Sequence, residues 1–289
     1  MIVRENINDF ALEHIFECGQ CFRWEKEQNG SYTGIVAGRK PVNITFTPYE
    51  GKLYSGQLII DNAEDSDYED FWKEYLDLNR DYGKIKAELS KNDKVMAKAI
   101  DFGQGIRILR QDVWETLVSF IISQNNNIKR IKKCIRLLCE NFGEFALEYR
   151  GEKFFETPTA KVLASLSEKD LEVCGLGYRA KYLIETAKAI EKDNGKSLIE
   201  LKKADTSLAF AYLTSLHGVG PKVANCILLF ALARFESFPI DVWVKEAMNK
   251  LYGIDKENKK AMAEYAEKNF GEFGGVAQQY LFYYSRSRA

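Results

Sequence analysis

The segment Leu216-His217-Gly218-Val219-Gly220-Pro221-Lys222-Val223-Ala224 leaves the backbone few options, because two closely spaced glycines run straight into a proline. Gly218 and Gly220 permit backbone angles closed to other residues, and Pro221 lacks only a donor that the first turn of a helix cannot use. The preceding stretch, Thr206 to Leu216, reads as a helix with Leu208, Tyr212, Leu213 and Leu216 on one face. A helix, a tight hairpin and a second helix are therefore predicted. The amides of Gly218, Val219 and Gly220 can converge on one anion at the positive end of the second helix, which anchors a phosphate without reading sequence.

Lys222 is an unusual residue to find in that first turn. A cation there opposes the helix dipole, which favours the neutral amine, and partial burial pushes the same way. A neutral amine is a nucleophile and forms Schiff bases with carbonyl carbons, including that of a ring-opened sugar. The alternative is a lysine that simply binds phosphate, and the hairpin alone favours it. Asp241 shifts the balance. It follows Pro239-Ile240 and precedes the helical pattern Val242 to Met248, so it reads as an N-cap. A cap aspartate kept ionised by the amides it accepts can stabilise positive charge developing on a sugar as its glycosidic bond breaks.

Nearly half of the 289 residues are apolar, enough to bury a large core and to support two or three subdomains. No stretch is long and apolar enough to cross a membrane, and Met1 to Asn6 has neither the basic start nor the apolar run of a secretion signal. These features point to a cytoplasmic, nucleoid-associated protein of a prokaryote. The net charge of −1 gives nucleic-acid binding no general support, so the distribution matters. Arg107, Arg110, Lys129, Arg130, Lys132, Lys133 and Arg136 form a basic segment, whereas Asp61 to Asp77 is acidic and is expected to point elsewhere. Six cysteines include a single close pair, Cys18 and Cys21, which favours free thiols over a disulfide or metal framework.

Short β-patterned runs at Cys21 to Trp24, Tyr32 to Ala37, Val42 to Phe46 and Leu58 to Ile60 predict an antiparallel sheet. From Asp70 onward helical periodicity dominates, and Trp114, Leu117, Val118, Ile121 and Ile122 mark a buried helix just before Gln124. Another helix is expected over Ala180 to Ile190.

From Leu213 to Met248 the chain resembles the helix–hairpin–helix, Gly-Pro-Asp superfamily of DNA base-excision glycosylases, in particular its 8-oxoguanine DNA glycosylase family. The likeness extends to Gly19-Gln20-Cys21-Phe22-Arg23-Trp24, Leu109-Arg110-Gln111-Asp112, Ser123-Gln124-Asn125-Asn126-Asn127-Ile128 with Arg130, Gly175-Leu176-Gly177-Tyr178-Arg179-Ala180, and Ala277-Gln278 with Phe282. The resemblance implies an α+β fold: a twisted antiparallel sheet domain with flanking helices at 1–100, a helical subdomain at 101–204, and a helix–hairpin–helix catalytic region at 205–289 whose last helices pack back on the helical core. It implies a bifunctional DNA glycosylase and abasic-site lyase acting, as a monomer without metal or other cofactor, on double-stranded DNA that contains oxidised guanine. The iron–sulfur cluster of some relatives has no ligands here, since no cysteine follows Cys226.

Chemistry on a base in a duplex requires turning its nucleotide out of the stack. By the resemblance, Asn125 enters the vacated space, Arg130 contacts the opposite base, Tyr178 unstacks the neighbouring pair, and Arg179 holds the opposite strand. The Gly19 carbonyl accepts the ring proton that distinguishes oxidised from normal guanine, and a buried acceptor left unmatched is costly. Gln278 reads the base edge, Cys226 and Phe282 sandwich the ring, and Pro239 and Asp241 complete the pocket. Lys222 and Asp241 are the catalytic pair. One departure is Trp243, which stands where the animal enzymes carry histidine. Three rivals remain: a glycosylase for alkylated purines, whose relatives lack a lysine at the hairpin helix; a non-catalytic protein that grips DNA with the hairpin; and a thiol–disulfide protein built on Cys18 and Cys21.

Overall fold

The computed structural model describes residues 1–288. Five antiparallel strands form a sheet in the order β1-β5-β4-β3-β2, with β1 at Ile2–Asn8, β2 at Trp24–Lys26, β3 at Tyr32–Gly34, β4 at Val42–Tyr49 and β5 at Lys52–Asp61. Register explains the buried face. Ile2 pairs with Ile60, Ile60 with Ile44, and Ile44 with Tyr32, so one row of fully buried side chains crosses four strands. The expected α+β order is what the structure shows, with differences at the edges of the strands. The run Cys21 to Arg23 is not extended strand, and β4 and β5 are longer than expected, because a Tyr49-to-Lys52 turn pairs residues whose own pattern is polar.

Helices follow: α1 (Leu12–Phe16) within the sheet region, then α2 (Lys73–Tyr75), α3 (Tyr82–Ser90), α4 (Lys94–Phe102), α5 (Val113–Ser123) and α6 (Ile128–Phe142). A small hairpin, β6 (Phe145–Tyr149) and β7 (Glu152–Phe155), interrupts them. It was not anticipated, since its strands carry mixed charges. The series resumes with α7 (Ala160–Ser165), α8 (Arg179–Glu191), α9 (Lys196–Glu200), α10 (Thr206–Ser215), α11 (Pro221–Phe230), α12 (Val242–Tyr252), α13 (Lys259–Phe270) and α14 (Gly274–Arg286). Among the described residues no helix is long and apolar enough to cross a membrane.

Buried apolar side chains gather in two clusters, one under the sheet around Trp24, Trp72 and Ile60, the other among the helices. Polar ties join the two. Arg23 forms an ion pair with Glu115 at 2.6 Å and also donates to Thr157 at 3.0 Å. The buried Gln20 amide donates to the Ile15 and Arg107 carbonyls and accepts from the Leu109 amide. Such a hub keeps both polar atoms of the buried Gln20 amide matched while fixing the loop that follows α1. At the other end of the chain, α14 packs on α4 and α12, so the last helix reaches back over the start of the helical region.

Candidate active site

Gly220 is the N-cap of α11, and Pro221 opens its first turn. Gly218 has φ +77°, and a Cβ there would stand 2.4 Å from the ring of Tyr182, so both conformation and space demand glycine. Lys222 is consequently the second residue of α11. It is partly buried, and its Nζ lies over the Phe120 ring, 5.0 Å from the centroid. Phe120 is itself fixed by Phe230, stacked at 5.4 Å, and by Phe22, whose ring meets it edge-on at 5.6 Å.

Asp241 is the N-cap of α12, as the sequence predicted, and its Oδ1 accepts the Val244 amide at 2.8 Å. Its ionisation differs from the expectation. Burial pushes the carboxyl above its ordinary value, and the Val244 amide and the Lys222 charge only partly oppose that push. Cys226, one turn beyond Lys222, is buried, and its thiol is pushed up to about 11 by desolvation against the pull of Lys222. The lysine therefore acts on both neighbours, and residues 222, 226 and 241 form one electrostatically coupled group.

The loop after α1 meets the face of α14 on one side and Phe120 on the other. Gly19, at φ +77°, lies so close to Phe282 that a Cβ would come within 3.0 Å of the ring edge. Phe22, three residues on, reaches Phe120 beneath the lysine. Gln278, one turn before Phe282, is 4% exposed, and its Oε1 has no hydrogen-bond partner. A buried acceptor left open is uncommon and calls for an occupant. Pro239 is buried on the approach to Asp241.

A second group faces outward. Asn125 is exposed with φ +46°, Arg130 is exposed with its Nη2 donating to the Gly175 carbonyl at 3.1 Å, and Tyr178 is 49% exposed. Gln124 connects this group to the hairpin by donating to the Gly218 carbonyl at 2.9 Å. An edge-to-face series runs from Tyr178 through Tyr182 to His217.

Several expectations are corrected. Arg179 is buried, and its guanidinium donates to the carbonyls of Gln124, Asn125 and Leu176, so it is not the ordinary solvated arginine of a surface and it shapes the Asn125 turn. Val219 is buried and its amide donates to Leu216, leaving the Gly218 and Gly220 amides for a phosphate. Leu208 is exposed, and Ala209 with Leu213 forms the inner face of α10. Arg107 is buried against the carbonyls of Asn8, Asp9 and Asp77, while Arg110 pairs with Asp77 at 3.1 Å. Basic and acidic segments thus meet, and the exposed cations are Lys129, Arg130, Lys133 and Arg136. The thiol–disulfide reading also fails: all six cysteines are free and buried, and burial pushes Cys18 up to about 12.

The family model described as 8-oxoguanine DNA glycosylase, N-terminal domain, matches residues 2–117, and that of the HhH-GPD superfamily base excision DNA repair protein matches 118–272. An N-glycosylase/DNA lyase of Saccharomyces cerevisiae is 32% identical, over 91% of this chain and 73% of its own length. OGG1, an N-glycosylase/DNA lyase of Arabidopsis thaliana, is 30% identical, over 95% and 77%. The chain belongs to the 8-oxoguanine DNA glycosylase family. Among solved structures of the family, the Clostridium acetobutylicum 8-oxoguanine glycosylase/lyase, in complex with double-stranded DNA containing cytosine opposite the lesion, superposes with a TM-score of 0.91 at 43% identity, covering 99% of this chain and 95% of that one. A 3-methyladenine glycosylase of Archaeoglobus fulgidus, at 24% identity and a TM-score of 0.79, shares the fold.

Within this 8-oxoguanine glycosylase frame, the sequence left Phe120 under the lysine unnoticed and gave Gln124, beside the hairpin, no role of its own. Only the apolar periodicity of α5 hinted at the first. Trp243, the family departure, is partly buried at the second position of α12, and its amide donates to the capping carboxylate of Asp241.

Proposed function

We infer that this chain is a bifunctional N-glycosylase/DNA lyase that removes 8-oxoguanine from duplex DNA in base excision repair. The carrying observation is the seat of Lys222: a partly buried amine on a helix start, over Phe120, with Asp241 close enough for its charge to be felt. Family relatives named N-glycosylase/DNA lyase and a relative crystallised with lesion-containing duplex support the substrate and both activities.

In this reading the everted base enters between Cys226 and Phe282, with the Gly19 carbonyl and Gln278 at its edge. Lys222, once it has given up its ammonium proton, attacks the anomeric carbon. The bond to the base breaks, and the departing purine takes the bonding electrons and a proton. Asp241 stabilises the positive charge that builds on the sugar. Ring opening, with a proton delivered to the ring oxygen, gives a Schiff base between Nζ and the former anomeric carbon that keeps its N–H and its positive charge. Removal of a proton from the adjacent carbon then expels the 3′ phosphate and nicks the strand. The Gly218 and Gly220 amides hold a backbone phosphate near the site, while Asn125, Arg130 and Tyr178 occupy and flank the gap left by the base. The nucleoid of a prokaryote is the corresponding place of work.

Oligonucleotide duplexes carrying 8-oxoguanine, alkylated adenine or an abasic site test the reading together. The first and third should be processed by the wild type and not by Lys222→Gln. Preferential release of alkylated adenine would overturn the substrate assignment.

A further inference from the structure

Two ties join α14 to the segment after α1, and neither belongs to the machinery described above. Gln279 Nε2 donates to the Cys18 carbonyl at 3.3 Å. Arg286 Nη2 donates to the Glu17 carbonyl. Arg286 also lies over the Phe282 ring, 5.2 Å from its centroid, and its Nη1 would stand 3.6 Å from a Cβ on Gly19. That Nη1 is buried and has no hydrogen-bond partner among the described residues.

We propose that Arg286 is a positioning residue for base recognition: it clamps the Glu17–Gly19 segment against Phe282 and so sets the distance between the two walls of the base pocket. The inference rests on the function proposed above. Its physical basis is the guanidinium's planar fork, which can donate to a carbonyl with one nitrogen while lying flat on an aromatic face, something an ammonium does poorly. Gly19 and Phe282 sit in different parts of the chain, and the ring edge leaves no room for a Cβ on Gly19, so a small release would misplace carbonyl and ring together. Gln279 braces the same segment from one residue earlier.

The two activities supply the test. Release of 8-oxoguanine needs the base pocket, whereas cleavage at a preformed abasic site needs Lys222 but no base. Single-turnover rates should be measured for wild type, Arg286→Leu, Arg286→Lys and Gln279→Leu on both duplexes, with melting temperatures alongside. Arg286→Leu is expected to slow 8-oxoguanine release tenfold or more while abasic-site cleavage stays within twofold, and Arg286→Lys to recover only part of the loss. Equal losses on both duplexes would overturn the proposal, as would no loss in a folded variant. If Arg286→Leu does not fold, Arg286→Lys and Gln279→Leu must show the same selective loss, and their failure to do so counts against it equally. Failure of the wild type to release 8-oxoguanine would instead sink the proposed function.

Discussion

The Lys222 amine rests 5.0 Å above the ring of Phe120, a residue more than a hundred positions away in the chain. The aromatic face gives the side chain a seat at the end of α5, and the rings of Phe22 and Phe230 keep that seat from moving. Phe120→Leu removes the face and keeps most of the volume. Without the ring the amine is no longer held in one place, and about 1 kcal/mol of lost positioning would slow excision and abasic cleavage alike, roughly fivefold. Single-turnover assays on the two duplexes check this, and loss of excision alone would show that the ring serves the base and not the amine.

Asp241 should reveal its environment through pH. Because burial raises its folded value above the unfolded one, this group stabilises the fold fully below the ordinary aspartate range and loses that contribution as pH rises through the raised value. Asp241→Asn retains an acceptor for the Val244 amide and removes the buried charge. Its melting temperature should therefore exceed that of the wild type at neutral pH, with the gap closing in acid. Excision, which needs the carboxylate, should fall on the order of 10²-fold. The acid limb of the wild-type rate profile should lie above the usual carboxylate range and disappear in the variant.

Gln278 offers a case where stability and function part. Its Oε1 is buried without a partner, a condition that costs about 1–3 kcal/mol in the empty protein. Gln278→Leu relieves it. The variant should melt no lower than the wild type, yet excise 8-oxoguanine at least tenfold more slowly. Thermal melts and single-turnover rates on the same preparation decide the matter, and a large drop in melting temperature would mean that the glutamine is structural.

Arg179 is expected to act on the free protein. Its three carbonyl contacts hold the turn at Asn125, where the backbone is in the left-handed region. Arg179→Met leaves those buried carbonyls without their donor and should cost about 2–4 kcal/mol of stability. Affinity for abasic duplex should weaken as the Asn125 turn loosens. Unchanged stability with weakened binding would restore a direct strand contact.

What the sequence disclosed follows the range of the interactions. The hairpin, the Asp241 cap and the helices around them depend on neighbours within one turn, so Gly218, Pro221 and Asp241 announced them locally. Arg107 and Arg110 looked like a binding surface because their partners, the carbonyls of Asn8 and Asp9 and the carboxylate of Asp77, become neighbours only once the chain has folded. Leu208 fitted a helical face that the surrounding packing does not use. Resemblance supplied Gly19, Gln278 and Phe282 together, and the structure brings Gly19 against Phe282. Phe120, Gln279 and Arg286 escaped notice for a different reason. Each is an ordinary core or helix residue until packing sets it beside a functional group, and the Gln279–Cys18 contact spans 261 positions.

Covalent capture of the reaction intermediate tests the central claim most directly. Wild-type protein incubated with 8-oxoguanine duplex and sodium borohydride should become linked to the cleaved strand, and digestion should place the reduced adduct on the peptide bearing Lys222. Lys222→Gln should yield no adduct. An adduct on another residue, or base release by the wild type with no capture at all, would contradict the account.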